Sequence, residues 1–105
     1  LRAQARRALC EEVERQKQQY GFSYNSVAIK DTRSRWGSCS GKGNLNFSWR
    51  LIRAPDEVLN YVVTHETAHL SHLNHSSDFW NLVRERCPGF QSNGASLMNW
   101  KLSVR

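Results

Sequence analysis

Chemistry is concentrated in one short stretch, His65-Glu66-Thr67-Ala68-His69, with His75 shortly after it, and all 4 histidines of the chain fall within residues 65–75. On an α-helix, residues four apart lie about 6 Å apart along the axis and roughly 40° apart around it. His65 and His69 therefore face the same way and can grip one ion. Glu66 directly follows the first of them, so its carboxylate can reach the fourth coordination position and take a proton from a metal-activated water. This is the H-E-x-x-H logic of metal-dependent peptide hydrolysis. Three imidazoles around an open position suit a single zinc ion, although manganese, cobalt and iron accept similar nitrogen ligands.

His75 is the best candidate for the third ligand. On a continued helix it would point about 120° away from His69, so the helix is predicted to end between Leu70 and Asn74. Asn74 tolerates the left-handed conformation that would turn the chain back toward the metal. Alternatives remain open at this point. His72 shares a face with His65 and His69 but lies about 10 Å along the axis from His65, which suits a solvated or outer-sphere role. Asp78 and Glu85 fit better as helix-start and helix-surface charges.

The elements that must position these groups can be read in outline. Ala5, Leu9, Val13 and Gln16 recur at helical spacing from Arg2 to about Gln19, with Gly21 as a stop. Ser26 to Lys30 is rich in β-formers and predicts a strand. Trp36 to Ser40, the turn-like Gly41-Lys42-Gly43, and Asn44 to Leu51 read as a hairpin. Leu45, Phe47, Trp49 and Leu51 would share its inner face, leaving Asn46, Ser48 and Arg50 outside. Ala54-Pro55-Asp56-Glu57 is a helix start, with two carboxylates at the positive end of the dipole. That helix turns Val58, Leu59, Val62 and Val63 inward and delivers the histidines. Ser76-Ser77-Asp78 can cap a further helix through Phe79, Trp80, Leu82 and Val83, ending at Cys87-Pro88-Gly89. The tail from Ser96 to Arg105 reads as a short helix or an extended segment. Met98 reads as a packing residue.

Composition narrows the class. A chain of 105 residues is expected to form a single domain. The basic start Leu1-Arg2-Ala3-Gln4-Ala5-Arg6-Arg7, without an initiating Met, reads as the interior of a longer protein. No apolar run approaches the roughly 20 residues of a membrane span, and no signal-peptide pattern is present. The 3 cysteines, Cys10, Cys39 and Cys87, are odd in number and widely spaced. That argues against a disulfide framework and for a reducing, cytoplasmic setting. The net charge of +6 and pI near 9.7 make DNA a candidate partner through the basic surface. The basic residues are scattered, however, and a surplus of charge sets nonspecific attraction rather than function.

Thr32-Arg33-Ser34-Arg35-Trp36-Gly37-Ser38-Cys39-Ser40, Asn44-Leu45-Asn46, Trp49-Arg50-Leu51, Ala54-Pro55, Tyr61-Val62-Val63, the H-E-x-x-H pair, Asn74-His75-Ser76 and Phe79-Trp80 together resemble the YgjP-like metallopeptidase domain. The combination of W-G-S-C, H-E-x-x-H and N-H-S is far more specific than the zinc motif alone. The resemblance implies an α+β, minimal zincin-like fold: a small, mostly antiparallel sheet with an N-terminal helix, an H-E-x-x-H active-site helix and a following helix. It also implies zinc on His65, His69 and His75, with Glu66 as general base, and a relationship to SprT-like proteases, some of which act on proteins crosslinked to DNA. The spacing to His75 equals that of metzincins, but His72 stands where their helix-ending glycine would be.

The leading expectation is a zinc metallopeptidase acting on a peptide or protein. Trp36, Gly37, Ser38 and Cys39 are its candidate substrate-binding residues. Their backbone N–H groups, on an exposed edge strand, could hold an extended peptide and help stabilise the oxyanion; alternatively they only shape the hairpin. Tyr61 is a further oxyanion candidate, although four residues before His65 it fits packing better. The competing class is a zinc-containing, DNA-associated module, either a SprT-like protease acting on DNA-bound proteins or a non-catalytic binding domain.

Overall fold

The computed structural model describes residues 2–31 and 36–87, so the expectations for the tail, including Met98, lie outside the described residues. Helix α1 (Arg2–Tyr20) is followed by strands β1 (Ser26–Lys30), β2 (Gly37–Cys39) and β3 (Asn44–Ser48). A 3-10 helix (Trp49–Arg53) leads into α2 (Asp56–Ala68), and α3 (Ser77–Arg86) comes last. The predicted face of α1 is the one it buries: Ala5, Leu9, Val13 and Gln16 are all at or below 1% exposure. Gly21, at φ +76°, ends the helix in the left-handed region, with its N–H on the Lys17 carbonyl at 2.8 Å.

The hairpin of β2 and β3 forms as read, antiparallel, with Gly37 opposite Phe47 and Cys39 opposite Leu45. The sheet as a whole is mixed. Strand β1 pairs in parallel with β3, from Ser26 opposite Asn44 to Lys30 opposite Ser48, giving the order β1-β3-β2. The central strand is therefore the last in sequence, and β2 lies at an edge. Strand β3 is also shorter than its alternation suggests. Leu45 and Phe47 are buried, but Ser48 is buried too and turns the chain, its Oγ accepting from Arg50 N at 3.3 Å. The 3-10 turn then brings Leu51 into the core, so strand periodicity stops where a hydroxyl caps the next element.

Helix α1 packs on α2, β1 and the 3-10 turn, while α2 packs on β2 and α3. Val58, Val62 and Val63 of α2 meet Leu9, Phe47, Phe79 and Val83 in one buried cluster. Polar groups also tie α1 to α2. Gln16, 1% exposed, donates to Thr64 Oγ1 at 3.1 Å and to Glu12 Oε2 at 2.8 Å. Its carbonyl oxygen accepts from Thr67 Oγ1 at 3.3 Å. Thr64 and Thr67 lie on the side of α2 away from His65 and His69, given 100° per residue. The brace therefore fixes the helix without touching its working face. The cysteines are all free thiols, as their spacing implied.

Candidate active site

Helix α2 supplies His65 and Glu66 from its last turn and His69 from its C-cap. The helix then closes by tight turns: His69 N bonds Glu66 O at 3.2 Å, Leu70 N bonds Thr67 O at 3.1 Å and Ser71 N bonds Ala68 O at 3.1 Å. This corrects the expected exit. No non-glycine residue among those described has positive φ, so Asn74 does not turn the chain through the left-handed region. Tightening of the final turn redirects it instead. Ser76 then caps α3, its Oγ accepting from Phe79 N at 3.3 Å, which fixes the residue next to His75.

The result brings His65, His69 and His75 together, with one ligand atom of each lying within 4.8 Å of the others. His69 is buried, His65 half-buried and His75 exposed, so the cluster opens at one side. His69 Nδ1 is 2.9 Å from the His72 carbonyl. An N–H there donates to that oxygen and leaves Nε2 as the coordinating atom. His72 thus contributes through its backbone, and Asp78 and Glu85, both exposed, stand outside the cluster. Burial, followed by the charges of His65 and His69, holds His75 below the ordinary histidine range despite the opposing effect of Glu66. That keeps it in the neutral form a metal requires.

Aromatic rings back the cluster. Phe79, fully buried, stacks on His69 at 4.3 Å and meets His65 and His75 edge-on at 5.1 Å each. Trp80 stacks on His75 at 5.7 Å. Sequence reasoning placed both rings on α3 but gave them no part in the site. The available signal was their place one turn after His75 in a helix whose cap immediately follows it. Tyr61 is buried, its ring 6.1 Å from that of His65. Burial, then Cys87 and Glu66, raises its phenol pKa.

Glu66 is 7% exposed, with Oε2 3.2 Å from His65 Nδ1. Strand β2 lies alongside. Trp36 is buried and its carbonyl accepts from Ser48 N at 2.8 Å, so its side chain belongs to the core. Ser38 Oγ accepts from Asn46 Nδ2 at 3.4 Å. Gly37 and Cys39, two residues apart, point to the opposite face, toward Glu66. Burial, with a smaller effect of the Glu66 charge, pushes the Cys39 thiol up to about 11.

A histidine pair on one helix, a third imidazole from the loop after it and a buried carboxylate, in a small α+β fold, define a metal-dependent hydrolase. Residues 1–99 match the family described as the YgjP-like metallopeptidase domain, and the chain belongs to that family. It is a peptide-bond hydrolase dependent on a divalent metal. Among solved structures it is similar to the metallopeptidase zymogen abylysin of Pyrococcus abyssi, with 26% identity and a TM-score of 0.64 over 72% of this chain and 76% of that one. The metallopeptidase zymogen jannalysin of Methanocaldococcus jannaschii shares the fold, with a TM-score of 0.71 at 19% identity over 87% and 94% of the two chains. No curated protein matches the chain. No helix among the described residues is long and apolar enough to cross a membrane.

Proposed function

We propose that this domain cleaves peptide bonds with Glu66 as general base and one zinc ion held by His65, His69 and His75. The observation that carries the reading is the convergence of three imidazole donors within 4.8 Å beside a buried carboxylate. The donor set suits the ion: three imidazole nitrogens, one ring oriented by a backbone carbonyl, with an accessible side. When bound, the metal would polarise the scissile carbonyl and acidify the attacking water. Glu66 takes the proton from that water and passes it to the leaving amine. The outer edge of β2, which has no strand partner among the described residues, receives an extended substrate by strand addition, where the backbone groups of Gly37 and Cys39 meet the peptide and the developing oxyanion while those of Ser38 face Asn46 on β3.

The test is cleavage of a mixed peptide library by the whole chain and by Glu66→Ala, with metal analysis of both. The expected outcome is one zinc in each and a loss of at least about 100-fold in cleavage by the variant. Retained cleavage in Glu66→Ala removes the general-base reading. Both solved relatives are described as zymogens, which makes latency the second reading: zinc in both proteins and cleavage by neither favours it. The DNA-associated alternative predicts salt-sensitive retention on DNA. Local pairings of the basic residues, such as Arg15 with Glu12 and Arg50 with Asp31, give it no particular support.

A further inference from the structure

Gly37 sits where β2 passes the active-site helix, and its missing side chain has a specific beneficiary. A Cβ built there would lie 2.8 Å from the Asn46 carbonyl oxygen, 3.1 Å from Glu66 Cγ and 3.2 Å from Phe47 Cδ1. The space is therefore filled from three directions, by the neighbouring strand, by the core and by the side chain of Glu66. Its backbone is not at positive φ, so the demand for glycine here is one of close approach and not of conformation. With Glu66 at 7% exposure, the flat backbone of β2 closes one side of that side chain, while His65 Nδ1 meets the carboxylate at 3.2 Å.

We infer that Gly37 is a positioning residue for Glu66: its bare Cα lets β2 press directly on the Glu66 methylene chain and set where the carboxylate stands relative to the histidine cluster. The inference rests on the general-base reading of Glu66. A methyl group at position 37 has two ways to be accommodated. Strand β2 can move away from the Asn46 carbonyl, or Glu66 can give way. Because the first obstacle is backbone and the second a side chain with rotatable bonds, part of the adjustment falls on Glu66. Displacing a reacting group by about 1 Å can cost on the order of 100-fold in rate.

The experiment compares the parent, Gly37→Ala, Glu66→Ala and the double variant in the metal-loaded full chain, reading metal content, Tm, kcat and KM. Gly37→Ala is expected to keep its metal while kcat falls by about 10- to 100-fold, a larger change than any in KM. The Tm lost through Gly37→Ala is expected to be clearly smaller in the Glu66→Ala background, because the obstructing Cγ is gone and the two sites are coupled. An equal Tm loss in both backgrounds, or an unchanged kcat, overturns the inference, since the glycine would then serve only the packing of β2 on β3. Should Gly37→Ala not fold, folding of the double variant supports the contact and failure of both overturns it. Cleavage retained by Glu66→Ala would instead sink the general-base reading, and the Tm comparison keeps these two failures apart.

Discussion

At the scale of single residues, the site depends on which groups are held in which protonation state. Cys39 illustrates this. It faces the active-site carboxylate, yet burial and, secondarily, the Glu66 charge hold its pKa at about 11, so it is a protonated bystander at neutral pH. Since the thiolate is the reactive species, about a thousandth of it is available at pH 8. Alkylation of Cys39, followed by mass spectrometry, should be far slower than that of glutathione, and labelling at the same rate would remove this picture of its surroundings. The convergence of His65, His69 and His75 could be read from the chain because two of them stand at helical spacing and the third follows closely in sequence. The positions of Gly37 against Glu66 and of Phe79 beneath three imidazoles could not, because both depend on which elements become neighbours.

Among the elements, the link between α1 and α2 carries the clearest testable consequence. Burial pushes the Glu12 carboxyl up, but hydrogen bonds from Arg15, Gln16 and Asn60, together with the Arg15 charge, outweigh it and leave its pKa below the usual value. A carboxylate with a lowered folded pKa contributes its stability above the unfolded value, near 4.3, and loses it as pH falls through the folded value. Glu12→Gln should therefore lower stability by about 1 kcal/mol at neutral pH, a figure discounted for partial solvent screening. The gap from the parent should close as pH drops below about 4, as denaturant titrations across that range would show. A gap that stays constant with pH would mean that the ionised form of Glu12 is not what matters. The same scale shows where local patterns mislead. Helix α1 was legible because its buried face repeats along many turns. Strand β3 was not legible to its end, since Ser48 stops it with a hydroxyl that looks outward-facing in an alternating pattern. The parallel partnership of β1 and β3 also left no local mark, because parallel pairing brings together segments distant in sequence.

For the molecule as a whole, the proposed ion would join the end of α2 to the approach to α3 and so stabilise the fold. A metal bound only by the native state, at about 100 times its Kd, adds about 2.7 kcal/mol. In a domain of this size that corresponds to a Tm rise on the order of 10 °C or more. Differential scanning calorimetry with and without a chelator should show the rise in the parent and in Glu66→Ala, and little of it in His75→Ala. A full rise in His75→Ala would remove His75 from the ligand set. Its place on the exposed side of the cluster has a further meaning. His65 and His69 are fixed by helix α2, whereas the N–H groups of Leu73, Asn74 and His75 make no backbone hydrogen bond among the described residues. The span before α3 would thus act as a latch in the proposed site. A cation would meet the two helical donors first, with His75 closing last and opening first, so that this short loop rather than the helix beneath it would govern the lifetime of the bound ion.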